Sequence, residues 1–257
     1  MSMKTRSVSV VLPALFIALM PCGLGMQLDA AEVSDQPAAA PLKIVALGSS
    51  TTAPRGSVKK VYCRRLAELL LARGIPAEIV NSGIGGSTTE HSRARFKRDV
   101  LDHDPDLVVI MLGGNDSAVD VWKKPPATGP RVTKKRYAEN LHYFIKTLKA
   151  RGAKVILMAP PPFRWTPKLK RLYGKPPYDV NDPWGFSLHL SDYCRAVRAV
   201  AREEGVPLVD VFKAFLEYDR GEGQSVDDLL LDGMHPNDEG HRIVAELLAA
   251  EIVKINK

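Results

Sequence analysis

Five short, near-continuous apolar runs recur along the chain: Lys43–Leu47, Ala77–Asn81, Asp106–Leu112, Lys154–Ala159 and Pro207–Val211. A strand wetted on one face alternates apolar with polar residues, so runs of this kind belong to strands covered on both faces. The segments between them change period. Val58, Val61, Leu66, Leu69 and Leu70 fall at helical spacing within 57–73, and Tyr137, Leu141, Phe144, Ile145 and Leu148 do so before the fourth run. Leu190, Tyr193, Cys194, Val197 and Ala201 precede the fifth run in the same way, and Ile243, Val244, Leu247, Leu248 and Ile252 form one face of a last helix. Gly74, Gly152 and Gly205 stand where three of these helices should stop. Strands alternating with helices predict an α/β fold, a three-layer α/β/α sandwich around a five-stranded parallel sheet with a flavodoxin-like strand order.

In such sheets ligands bind beyond the carboxyl ends of the strands, which selects the loops to read. The first run ends in Gly48-Ser49-Ser50, the second in Asn81-Ser82-Gly83-Ile84-Gly85-Gly86 and the third in Gly113-Gly114-Asn115-Asp116. A serine on a sharp turn exposes its hydroxyl, a glycine-rich turn lets a backbone N–H approach a substrate oxygen, and an asparagine amide adds a neutral donor. Near the carboxyl end, Asp232-Gly233-Met234-His235-Pro236-Asn237 opens the last helix, with Asn237 as N-cap ahead of Asp238 and Glu239. A carboxylate that accepts from one imidazole nitrogen leaves the other free to take a proton from a hydroxyl. These parts form the set that acyl transfer requires. His241 lies six residues beyond His235 on the helix, so a metal centre is not expected, and no cofactor motif is present.

Residues 1–31 carry Lys4 and Arg6 before an uncharged apolar run, Val8 to Met20, and a small-residue stretch around Ala30-Ala31, the layout of a secretory signal peptide. Residues 32–41 read as a flexible leader and 42–257 as the catalytic domain. The protein is therefore expected to be secreted or periplasmic, with no stable membrane span once the segment is removed. Its loss would change the formal charge from +7 to +6. Basic residues cluster in Lys123, Lys124, Arg131, Lys134, Lys135 and Arg136, and again in Lys168, Lys170 and Arg171, but no nucleic-acid motif accompanies them. Cys63 and Cys194 are too few for a disulfide scaffold and fall on helices that this strand order puts on opposite faces, so both thiols should be free.

The strand-end motifs resemble those of the SGNH (GDSL-type) esterase and lipase superfamily. Gly48-Ser49-Ser50-Thr51-Thr52 resembles its first block, Gly83 its second-block glycine, Gly113-Gly114-Asn115-Asp116 its third block and Asp232-Gly233-Met234-His235 its fifth. Ser49 stands where that family usually carries aspartate. The resemblance implies Ser50 as nucleophile, His235 as general base and then acid, Asp232 as its orienting partner, and an oxyanion hole of the Ser50 and Gly83 N–H groups with the Asn115 side chain. It implies a serine esterase acting on small acyl esters, acetyl first, with acetylated carbohydrate as the substrate expected. A catalytically weak glycan-binding protein of the same fold and an acyltransferase using the same residues are the alternatives. The excursion from Pro160 to Ser187 leaves the fourth run toward the same end and is rich in aromatics; Trp165, Tyr178 and Trp184 are its candidate substrate contacts. The chain contains no indication of its oligomeric state.

Mass spectrometry of the protein exported by a suitable host should show an amino terminus near residue 32. A full-length product retained in membranes is the contrary outcome.

Overall fold

Strand β1 (Leu42–Gly48) pairs in parallel with β2 (Ala77–Gly83) on one side and β3 (Leu107–Met111) on the other, and β4 (Lys154–Ala159) and β5 (Leu208–Asp210) extend the sheet to the order β2-β1-β3-β4-β5. These are the flavodoxin-like sheet and strands expected, in a computed structural model that describes residues 40–256. The expected signal peptide, residues 1–31, and all but the last two residues of the expected leader lie outside the described residues.

Eight helices accompany the sheet among the described residues: α1 (Tyr62–Leu71), α2 (Thr89–Ala94), α3 (Phe96–Asp99), α4 (Lys134–Lys149), α5 (Pro167–Tyr173), α6 (Leu188–Glu203), α7 (Val211–Tyr218) and α8 (Asp238–Ile255). Alternate side chains of each strand point to opposite faces. Leu107, Val109 and Met111 of β3 therefore pack with Leu66 and Leu70 of α1 and Val244, Leu248 and Ile252 of α8. Val108 and Ile110 pack with Phe144, Ile145 and Leu148 of α4 and Val197 of α6. Every β3 residue is buried, which explains its uninterrupted apolar run. Each such side chain contributes roughly 1.5–3 kcal/mol of burial free energy relative to exposure. Gly74, Gly152 and Gly205 take φ of +73°, +80° and +59° just past their helices, as the stop signals predicted.

The helix expected from Ser57 begins only at Tyr62. The backbone N–H of Lys59 donates to both Asp238 carboxylate oxygens at 3.0 and 3.1 Å, and that of Lys60 donates at 3.3 Å. Those donors serve the first turn of α8 instead of continuing α1 backwards. Val58 and Val61 are buried all the same, so their apolar spacing reflects packing and not helix.

The excursion 160–187 is not aperiodic throughout. It contains α5, entered through the Thr166 cap and Pro167, too short to show a period in the sequence. Tyr173, Tyr178 and Phe186 pack with Val119, Val121 and Leu169 into a third apolar cluster.

Cys63 on α1 belongs to one core and Cys194 on α6 to the other. Burial pushes the Cys63 thiol up to about 12 and raises that of Cys194 as well. In protein lacking residues 1–31, thiol titration should count two free groups in denaturant and react slowly with the folded protein; fewer than two in denaturant would contradict this arrangement.

Candidate active site

The parallel register sets Gly48 opposite both Gly83 and Met111, so three loops leave the sheet side by side. At Gly48 a Cβ would lie 2.0 Å from Thr52 Oγ1, so only glycine allows the chain to fold back here. The Ser49 carbonyl accepts from the N–H groups of Thr52 and Ala53 at 3.1 and 2.9 Å, closing a tight turn that presents Ser50. Ser50 Oγ lies 2.8 Å from His235 Nε2. His235 Nδ1 lies 2.8 Å from Asp232 Oδ2 and 3.0 Å from Oδ1. An ionised carboxylate only accepts, so Nδ1 carries the ring proton and Nε2 offers a lone pair to the Ser50 hydroxyl.

The loop that holds Asp232 and His235 is built for this pairing. Asp232 Oδ1 also accepts from the N–H groups of Met234 and His235 at 3.1 and 3.0 Å. Gly233 sits at φ +83°, where a Cβ would come within 2.5 Å of the Arg164 carbonyl, and Arg164 N–H donates to the Gly233 carbonyl at 2.8 Å. Asn237 caps α8 by accepting from the N–H groups of Glu239 and Gly240. Burial alone would raise the Asp232 pKa; the hydrogen bond and charge of His235 and the two N–H groups outweigh it and hold it at about 2. Ionised Asp232 thus stabilises the fold above its ordinary value of 3.8, and this contribution is lost as pH falls from there towards about 2.

Asn115 is fixed at both ends of its amide. Oδ1 accepts from Arg131 Nη1 at 3.0 Å, and Nδ2 donates to the Ser87 carbonyl at 3.1 Å. Arg131 can only donate and a carbonyl can only accept, so the amide has one possible orientation, and its second N–H is left for the cleft. Arg131 is itself held by Asp120, through Nε at 3.1 Å and Nη2 at 2.7 Å. The neighbouring Asp116 is buried and accepts from the N–H and hydroxyl of Thr89, which ties this loop to the start of α2. Burial raises the Asp116 pKa against those bonds.

Gly83 does not face the cleft. It is the last residue of β2, its N–H donates to Asn81 Oδ1 at 3.0 Å, and a Cβ there would lie 2.3 Å from the Ala53 nitrogen. Its smallness serves close packing against the Ser50 turn, so the expected donor role is corrected. Gly86 lines the cleft instead, at φ +77° in a turn closed by Ser87 N–H on the Ile84 carbonyl. Its N–H has no partner among the described residues. The available signal was position: Gly86 directly precedes Ser87-Thr88, and Thr88 caps α2.

The cleft encloses about 380 Å³ beside Ser50 and His235, with Phe163, Tyr173, Tyr178 and Phe186 among its walls. Of the three aromatics singled out in the sequence, Tyr178 lines it, its hydroxyl accepting from Val119 N–H at 2.8 Å. Trp165 lies behind that wall, stacked on Phe186 at 4.8 Å with its indole N–H on the carbonyls of Asp179 and Asp182. Trp184 lies off the cleft, under the Arg164 guanidinium. His241, fully buried, accepts from Tyr62 N–H through Nδ1.

A family model described as GDSL-like lipase/acylhydrolase matches residues 46–243. Among curated proteins, an uncharacterized lipoprotein of Bacillus subtilis is 38% identical over 66% of this chain and 71% of its own. An arylesterase of Vibrio mimicus is 29% identical over 82% and 88%. Among solved structures, an acetylxylan esterase from Geobacillus stearothermophilus superposes with a TM-score of 0.66 at 25% identity, covering 82% of this chain and 94% of that one. Solved catalytic mutants of that esterase replace a serine, an aspartate or a histidine by alanine, the last two three positions apart, the spacing of Asp232 and His235.

A serine-directed fluorophosphonate should label Ser50 and leave Ser49 unmodified, read by peptide mass spectrometry. Label on Ser49 would reverse the assignment of the two adjacent hydroxyls.

Proposed function

The chain belongs to the GDSL-like lipase/acylhydrolase family and is a carboxylic ester hydrolase, and we propose that it removes small acyl groups, acetyl first, from carbohydrates through an acyl-enzyme on Ser50. The observation that carries this reading is the unbroken contact from Ser50 Oγ through His235 to Asp232. In the first half-reaction His235 Nε2 takes the Ser50 proton as Oγ attacks the ester carbonyl, and the carbonyl oxygen becomes an oxyanion. The N–H groups of Ser50 and Gly86 and the free amide hydrogen of Asn115 receive that charge. His235 then returns the proton to the departing sugar oxygen, leaving an acyl-serine. Water repeats the sequence, its proton passing to His235 and then to Ser50, and the free acid leaves. Asp232 stays ionised throughout and stabilises the imidazolium formed in each half.

The aromatic walls and the volume of the cleft support a sugar on the leaving-group side, since an acetyl group alone would fill a small part of it. Acetylxylan esterases among the relatives support the same substrate class. The intact contact at Ser50 favours catalysis over a binding-only role despite serine at position 49. An exported protein fits the apolar amino-terminal segment and a relative named as a lipoprotein. Among the described residues no helix is long and apolar enough to cross a membrane.

The test is hydrolysis of p-nitrophenyl acetate and longer esters beside acetylated polysaccharides. Acetyl esters should be preferred, Ser50→Ala should lower kcat by about 10⁴ to 10⁶, and Ser49→Ala by on the order of tenfold, with circular dichroism confirming each fold. A fully active Ser50→Ala would eliminate the acyl-enzyme.

A further inference from the structure

Arg55 lines the cleft together with Ser49, Ser50 and His235. It joins none of the ion pairs or hydrogen bonds among the described residues, and its Nε is buried without a partner there. The other guanidinium of the cleft, Arg131, is engaged by Asp120 and Asn115. Arg55 is therefore the cleft cation whose donors are open.

Both basic clusters seen in the sequence include or adjoin residues of the cleft lining. One follows Ala118 and includes Arg131, both in its lining; the other lies on α5, whose last residue, Tyr173, also lines it. Lys124, Lys168 and Arg171 are exposed and join none of the ion pairs among the described residues. A neutral polysaccharide would give these cations nothing to bind, whereas a chain of uronate sugars carries one carboxylate per ring. We propose that Arg55 binds the carboxylate of the acylated sugar or its neighbour, and that the enzyme deacetylates an acidic polysaccharide, with Lys124, Lys168 and Arg171 flanking the bound chain. This rests on the esterase reading above and narrows its substrate class. Guanidinium suits the role because it presents paired donors to a carboxylate.

The experiment compares kcat/KM on acetylated polygalacturonate and on acetylated xylan, with p-nitrophenyl acetate as a control for the chemistry. The wild type should prefer the acidic polymer by about tenfold or more at low salt, and the preference should shrink as ionic strength rises towards about 0.15 M. Arg55→Gln should lower the ratio of the two values about tenfold through KM, and Arg55→Lys should keep most of it. Equal turnover of both polymers by the wild type, or an Arg55→Gln that leaves the ratio unchanged, would overturn the anion subsite while leaving the esterase intact. No hydrolysis of p-nitrophenyl acetate would instead remove the reading on which it stands.

Discussion

The pairing of β1 between β2 and β3 is the constraint from which the site follows. Because all three strands run in parallel and are in register at Gly48, Gly83 and Met111, their loops emerge in one line. Each loop then needs only a short turn to deliver its group: a hydroxyl from the first, a backbone N–H from the second and an amide from the third. The strands can hold that register because both faces are apolar and covered, and a slip by one residue would exchange the α1–α8 and α4–α6 sides of every strand. The site's geometry is thus inherited from core packing and needs little support of its own.

Two buried or half-buried carboxylates in this region move in opposite directions, and the difference lies in their donors. Asp232 faces an imidazole that can become positive and two backbone N–H groups, so its charged form is favoured. Asp116 is fully buried, has only Thr89 against its Oδ1, and its Oδ2 has no partner among the described residues. A neutral carboxyl tolerates that position better than a carboxylate does. One acid is therefore suited to stabilising developing positive charge, and the other to holding a loop.

Residues whose role is set by local pattern were legible in the sequence. The five strands, the glycine stops, the Asn237 cap and the Asp232–His235 spacing all depend on neighbours a few positions away. What was not legible depended on partners far along the chain. The late start of α1 is caused by Asp238, which lies 179 positions beyond Lys59. The choice between Gly83 and Gly86 turns on whether Asn81 captures the N–H, and both glycines look alike in sequence. Trp165 and Trp184 are as aromatic as Tyr178, but only the folded path of the excursion on either side of α5 decides which ring faces the cleft. Arg131 drew notice only as a member of a charge cluster, because its contact with Asn115 exists only after folding.

The Asp238 carboxylate joins the segment after Ser50, through Lys59, Lys60 and Arg65, to the first turn of the last helix, which follows His235 directly. The proposed nucleophile comes from the first strand and its proposed base from the final stretch of chain, and one side chain links their supports. During synthesis the hydroxyl emerges early and stays inert until the carboxyl-terminal residues have been made and docked. A chain cut short before Asp232 would keep all five strands of the sheet in its sequence and lose both proposed partners of Ser50.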